Sequence, residues 1–242
     1  MTNETSIFDF LFIDIETVPQ YADFSELDPV WKTLWIDKIS KTVPENTTPE
    51  ESYLQKAGIL AEFGKVVCIS TAYLFETDNK EIAIKIKSIY GDDEKKLLHE
   101  FIQLADKVFR HNKKFEFAGH NIREFDIPYL CRRMLINQIP LPEYLNLHGA
   151  KPWEIRITDT LQWWKFGDYK NFISLNLLAH ILNIPTSKTD IDGSKVQHVY
   201  YHEKDLRRIA DYCQRDVIVV ANIILYFKNL PLLQESNTVI VQ

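Results

Sequence analysis

The chain has only three cysteines, Cys68, Cys131 and Cys213, and none stands in a C-x-x-C pair. An odd, scattered count argues against a disulfide framework and against a zinc site, and favours a reducing compartment. Each cysteine lies in an apolar segment, where a thiol is expected to act as a small buried hydrophobe. No apolar run approaches the ~20 residues of a membrane span. The opening Met1-Thr2-Asn3-Glu4-Thr5 has neither a basic region nor an apolar stretch of the leader type. These absences predict a soluble cytoplasmic protein without membrane contact. Basic residues are also short: 28 Lys and Arg against 34 Asp and Glu give a net charge of −6. A tight, sequence-independent duplex binder is therefore disfavoured. The sequence contains no internal repeat and no low-complexity segment.

Hydrophobic residues make up 45% of the 242 and aromatics 12%, enough for a sizeable core. The length fits a single domain, 1–242, carrying a helical insertion at about 19–58. Phe8 to Thr17 is short and rich in β-formers, so it reads as a buried strand. Further strands are expected at Lys65–Tyr73, at Ile82–Ile86 and at Phe115–Gly119. Asp92-Asp93-Glu94 opens a helix running to about Phe109, with acids in its first turn. Another helix carries Pro128 in its first turn. A short amphipathic helix is expected from Ser174 to Leu182, and a long one from about Lys204 to Phe227. The last has an apolar stripe of Leu206, Ala210, Cys213, Val217, Val220, Ile224 and Phe227. This mixture predicts an α/β sheet with helices on both faces.

Asp14 and Glu16 end the first strand. Residues two apart share a strand face, so both carboxylates project together beside Phe10 and Phe12. Such neighbours repel and lose hydration, and a hard divalent cation with oxygen ligands relieves both penalties. The plain alternative is an acidic strand end emerging into water. Asp126 opens a helix just after a strand. On the last helix Tyr212 and Asp216 are four apart and share a face. Alone, each would be an ordinary boundary tyrosine or surface charge.

Taken in order, Asp14-Ile15-Glu16-Thr17 (D-x-E-T), Asn121 to Asp126 (N-x-x-x-F-D) and Tyr212 to Asp216 (Y-x-x-x-D) resemble the three exonuclease motifs of the DEDD superfamily, tyrosine subgroup. The text around them, including Glu62-Phe63-Gly64-Lys65, Asp192-Gly193-Ser194 and Asp211 to Val217, is similar to stand-alone bacterial proteins related to the exonuclease domain of family B DNA polymerases. The resemblance runs from about Phe10 to Phe227. It implies a ribonuclease H-like mixed sheet flanked by helices. It also implies a 3′→5′ exonuclease releasing 5′-mononucleotides from single-stranded ends, DNA in preference to RNA. Two divalent ions, Mg²⁺ or Mn²⁺, would be held by Asp14, Glu16, Asp126 and Asp216. Asp14, Glu16 and Asp216 would hold the ion that binds the attacking water, and Asp14 would bridge to the second ion with Asp126 in support. Tyr212 would orient the water; a phenol with a pKa near 10 is a poor base at neutral pH. Thr17 and Asn121 are the expected substrate contacts, with the alternative that Asn121 only orders its turn. The histidine subgroup is disfavoured because Asp211 stands five residues before Asp216. Alternatives are an exoribonuclease and a silent nucleic-acid-binding module. No polymerase domain fits in 242 residues, so any proofreading would serve replication or repair proteins in trans.

Other residues have plainer expectations. Asp159 reads as a helix cap, with Gln162 in capping-box spacing. Asp190 and Asp192 read as turn residues beside Gly193, and His120 as a loop residue. In the insertion, Trp31 and Trp35 interleave with Lys32 and Lys38, a pattern able to stack unpaired bases. Anchoring the insertion to the core is the favoured role for both tryptophans.

Overall fold

The computed structural model describes residues 5–40, 42, 44, 47–151, 154–186 and 191–241. In chain order the main elements are β1 (Phe10–Pro19), α1 (Pro29–Ile39), α2 (Pro49–Lys56), β2 (Gly64–Glu76), β3 (Ile82–Tyr90), α3 (Glu94–His111), β4 (Glu116–Gly119), α4 (Asp126–Ile136), β5 (Ile157–Asp159), α5 (Thr160–Lys165), α6 (Leu175–Ile181), α7 (Val196–His198, widening into a π-helical turn at Val199–Glu203), α8 (Leu206–Phe227) and β6 (Thr238–Val241). The six strands form one mixed sheet in the order β5-β4-β1-β2-β3-β6. β1, β2 and β3 pair antiparallel, whereas β4, β5 and β6 join in parallel. The result is a mixed α/β sheet flanked by helices, the layering expected from the sequence.

Alternation along β1 decides which layer each residue serves. Leu11, Ile13 and Ile15 face α3 and α4, packing with Leu98, Phe101, Ile127 and Leu130. Phe10 and Phe12 face the other way, against Val217, Val220 and Ile224 of α8. Asp14 and Glu16 continue the second row. The acids therefore begin where the apolar seam between β1 and α8 stops. The stripe on α8 packs as the sequence indicates, with Ala210, Cys213, Val217, Val220 and Ile224 all buried. Asp205 caps the helix by accepting the Arg208 amide at 3.0 Å, so it starts two residues later than expected.

β5, β6 and α7 are not anticipated by the sequence pattern. β5 has three residues and β6 four, below the length at which alternation is readable. The insertion folds as α1 and α2 around Trp35, which is fully buried with Phe24, Leu27, Ile39, Tyr53 and Phe63. Its indole N–H donates to the Ser52 hydroxyl at 3.1 Å and the Pro49 carbonyl at 3.2 Å. Trp35 thus has the anchoring role. Trp31 is half exposed, its ring edge-on to Phe63 at 5.4 Å. Among the described residues no helix is long and apolar enough to cross a membrane.

Candidate active site

Asp14 and Glu16 reach one spot from β1, together with the Cys213 thiol of α8; one ligand atom of each lies within 4.8 Å of the others. Two more acids complete the site electrostatically. Asp14 is held well above the usual carboxylate range by burial, and then by the charges of Asp126 and Asp216. Glu16 is raised well up as well, by burial and then by Asp14 and Asp216. Burial lifts Asp126 to about 7 and Asp216 to about 6. Four carboxylates from β1, α4 and α8 therefore share a space poor in water, each disfavouring the charge of the next.

Each acid has a local reason for its place. β4 stops pairing with β1 at Phe12, so the Ile15 amide beyond it lacks a strand partner on that side. Asp126 accepts that amide at 3.1 Å, fixing the start of α4 to the end of β1. The turn before it is tight: a Cβ at Gly119 would sit 2.9 Å from the Ile13 carbonyl oxygen, so only glycine lets the chain pass there. Asn121 then adopts a left-handed φ of 63°, which asparagine tolerates. Its amide donates to Asp159 at 2.9 Å, and the Arg123 amide donates to the other Asp159 oxygen at 3.0 Å.

Asp159 consequently does more than the helix cap expected of it. It caps α5 through the Leu161 amide at 2.9 Å, and also holds the turn that delivers Asp126. The capping box does not close, because Gln162 donates to Glu124 at 3.1 Å instead. The signal for this second role, two amide donors 36 and 38 residues away, is tertiary and leaves no local pattern. Asn121 orders its turn through its backbone, while its side-chain oxygen is buried without a hydrogen-bond partner. His120 bonds through both ring nitrogens, to the Thr160 hydroxyl and the Ile173 carbonyl, each at 2.9 Å. Burial pushes its pKa down, and neither nitrogen is left for a proton transfer. Asp192 closes a turn on the Ser194 amide at 3.0 Å; Asp190 lies outside the described residues.

Tyr212 is half buried one turn before Asp216. Burial and the neighbouring charges of Asp216, Glu16 and Asp14 push its phenol far above the ordinary value, so it keeps its proton. Cys213 departs from the inert role expected of it. Its sulfur lies 3.2 Å from an Asp14 carboxylate oxygen and 3.3 Å from the Asp14 carbonyl. Cys131 is only half buried, with its sulfur 3.6 Å from the Leu145 carbonyl.

Two hollows flank the acids. One, of about 260 Å³, is lined by Tyr212, Arg215 and Asp216 of α8 and by Ser174 to Asn176. The other, of about 200 Å³, is lined by Glu16, Thr17, Phe125, Ile59 and, from the insertion, Leu54 and Gln55. The insertion thus borders the site through Leu54 and Gln55, not through its tryptophans. Three strongly exposed aromatics, Phe166, Tyr169 and Phe172, at 85%, 86% and 68%, stand on the loop leading from α5 to the first hollow. Phe166 is left-handed, with φ 45°, an uncommon conformation for an aromatic residue. Lys165 and Lys170 give them the same interleaving of aromatic and basic residues that Lys32 and Lys38 give Trp31 and Trp35.

The donor set suits divalent cations: carboxylate oxygens are hard ligands, and mutual repulsion is what a bound cation removes. Fold and acidic site together define an exonuclease-like α/β domain. Residues 59–234 match a family described as predicted 3′-5′ exonucleases related to the exonuclease domain of PolB, and the chain belongs to that family. The matched range contains Asp126, Tyr212 and Asp216 but not Asp14 or Glu16, which the sheet brings to them. No curated protein matches the chain. Among solved structures it is similar to the family B DNA polymerase of the hyperthermophilic archaeon Pyrobaculum calidifontis, at 14% identity and a TM-score of 0.48. That similarity covers 90% of this chain and 24% of the polymerase chain.

Proposed function

We propose that the chain is a divalent-metal-dependent 3′→5′ exonuclease that shortens single-stranded nucleic acid, DNA in preference to RNA, and releases 5′-mononucleotides. The observation that carries this reading is the convergence of four carboxylates with raised pKa values. Such an arrangement is unfavourable unless a cation joins it. Asp14, Glu16, Asp126 and Asp216 are the residues that would hold two ions. The chemistry supplied by ions bound there is activation of water and stabilisation of charge on the attacking and departing oxygens.

The protein's own groups account for the rest. Asp126 spends one oxygen partly on the Ile15 amide, which orients the carboxylate toward Asp14. Tyr212, still protonated, offers a hydroxyl that positions the water without removing its proton. The water oxygen bonds to the last phosphorus and releases a proton to solvent, the bond from phosphorus to the 3′ oxygen of the preceding nucleotide breaks, that oxygen takes up a proton from solvent to become a 3′-hydroxyl, and the terminal nucleotide leaves with its 5′-phosphate. Phe166, Tyr169 and Phe172 supply faces on which unpaired bases upstream of the end can stack. Thr17, in the second hollow, and Asn121, through its unpartnered oxygen, are the closer contacts.

The test is digestion of matched 5′-labelled single-stranded DNA and RNA with Mg²⁺ or Mn²⁺. Stepwise shortening of DNA, blocked by a 3′-phosphate, is the expected result. Cleavage of a circular single strand would reject the exonuclease reading. Inertness toward every substrate would leave a nucleic-acid-binding module.

A further inference from the structure

Tyr212, Arg215, Asp216 and Val219 stand at i, i+3, i+4 and i+7 of α8 and line one side of the 260 Å³ hollow. Among the described residues that line it, Arg215 is the one cationic side chain. Three other arginines are held in ion pairs: Arg133 with Glu94, Arg207 with Asp211, Arg208 with Glu203. Arg215 forms no ion pair among the described residues, and its Nε–H is buried without a hydrogen-bond partner. A buried guanidinium N–H without an acceptor is costly and uncommon. Asp216 is the next residue along the helix, but it does not supply that acceptor.

We infer that Arg215 is an anion anchor that takes a backbone phosphate of the nucleic-acid strand in this hollow. The inference rests on the nuclease reading above. Four acids make the site repel a polyanion, so a strand needs a cation at the point of entry. A guanidinium fork, with Nε–H and Nη–H directed the same way, matches two oxygens of a phosphodiester. The ligand class is therefore a phosphate ester, which the substrate strand or the released mononucleotide can present. We assign it to the strand.

The test uses the full chain in Ca²⁺, with a short 5′-fluorescein-labelled oligothymidylate followed by anisotropy at a series of KCl concentrations. Arg215→Gln is expected to weaken binding about tenfold and to reduce the slope of log K against log[KCl] by about 0.7, one phosphate contact on a single strand. Arg215→Lys should keep the slope, because the charge remains, and lose about threefold in affinity with the bidentate geometry. The melting temperature should stay within about two degrees. Wild-type affinity and slope in Arg215→Gln would overturn the inference. So would equal loss in both variants accompanied by a large fall in melting temperature, which marks a packing role. Competition by thymidine 5′-monophosphate separates the two sources: if Arg215→Gln weakens the mononucleotide alone, the assignment to the strand falls. Failure of the nuclease reading shows separately, as a wild-type chain that binds the strand and does not shorten it in Mn²⁺.

Discussion

Glu94 and the quartet of Asp14, Glu16, Asp126 and Asp216 are all largely removed from water, and the protein treats them in opposite ways. Glu94 is answered at both oxygens. Arg133 grips it with two N–H groups, at 2.9 and 2.6 Å, and the Val66 amide and the Asn137 side chain add bonds at 2.8 and 2.9 Å. The quartet meets no such cation. Its members receive an amide at Asp126, a thiol at Asp14, and a tyrosine and the nearby charge of Arg215 at Asp216, none of them a two-pronged ion pair like that of Arg133. Burial by itself therefore says little about role. What separates a structural carboxylate from a site carboxylate here is whether the fold completes it.

The largest expected effect lies on the incomplete side. Asp14→Asn and Asp216→Asn should each lower nuclease activity by at least about 10³-fold, because each removes an oxygen charge the reaction depends on. Metal-free, the same variants should melt no lower than wild type, since one repulsive charge is gone. The sign with pH follows from the raised pKa values. Asp126 at about 7 and Asp216 at about 6 bind protons more tightly folded than unfolded. Their contribution to stability is complete below about pH 4 and is lost as pH rises through 6 and 7. The advantage of Asp14→Asn over wild type should accordingly grow toward neutral pH. Mn²⁺ at about a hundred times its Kd should restore roughly 2.7 kcal/mol to the wild type. Melting curves across pH, with and without metal, read all of this; wild-type stability insensitive to metal would break the contrast with Glu94.

On the completed side the order reverses. Arg133→Leu leaves Glu94 buried and unanswered, at a cost of about 3–5 kcal/mol, or on the order of ten degrees in melting temperature. Residual activity assayed well below the transition should remain near wild type. If Arg133→Leu melted normally but lost activity, Glu94 would belong with the site.

This asymmetry also explains what was legible in the sequence. Strands with alternating or continuous apolar runs, and α8 with its regular stripe, announce themselves because burial imposes a period. The three motifs are legible because they combine an uncommon set of residue types in order. Asp159 and Cys213 each show only one of their two roles in the sequence, for a shared reason. One caps a helix and the other fits an apolar stripe, so a local explanation is available, while their second partners come from distant segments. Arg215 has no local explanation either way; what marks it is a buried Nε without an acceptor in the hollow beside Asp216. β5 and β6 are too short to carry a period.

A smaller effect sharpens the chemistry at the quartet. Tyr212→Phe removes a hydroxyl but no ligand, so metal affinity should hold while the single-turnover rate falls by about 10²-fold. The pH–rate profile below pH 9 should keep its shape, because the phenol is pushed upward and does not titrate there. An unchanged rate would reduce Tyr212 to a packing residue.

The smallest effect concerns where affinity comes from, since acids that repel one another also repel a strand. Stacking on an aromatic face is worth roughly 1–3 kcal/mol per base and is indifferent to sequence. Phe166 and Tyr169 are nearly fully exposed and stand on the loop that runs into the hollow beside Asp216. Phe166→Ala with Tyr169→Ala should weaken binding of a long single strand by about tenfold, raising KM and leaving the rate at saturation unchanged. A dinucleotide offers no upstream bases, so its cleavage should not respond. Trp31→Ala is the matched comparison. That ring leans on Phe63 and borders neither hollow beside the acids, so the change should leave single-strand affinity as it was. If the loop variants bind like wild type and Trp31→Ala does not, the strand runs over the insertion instead, and Leu54 and Gln55 become the residues to change next.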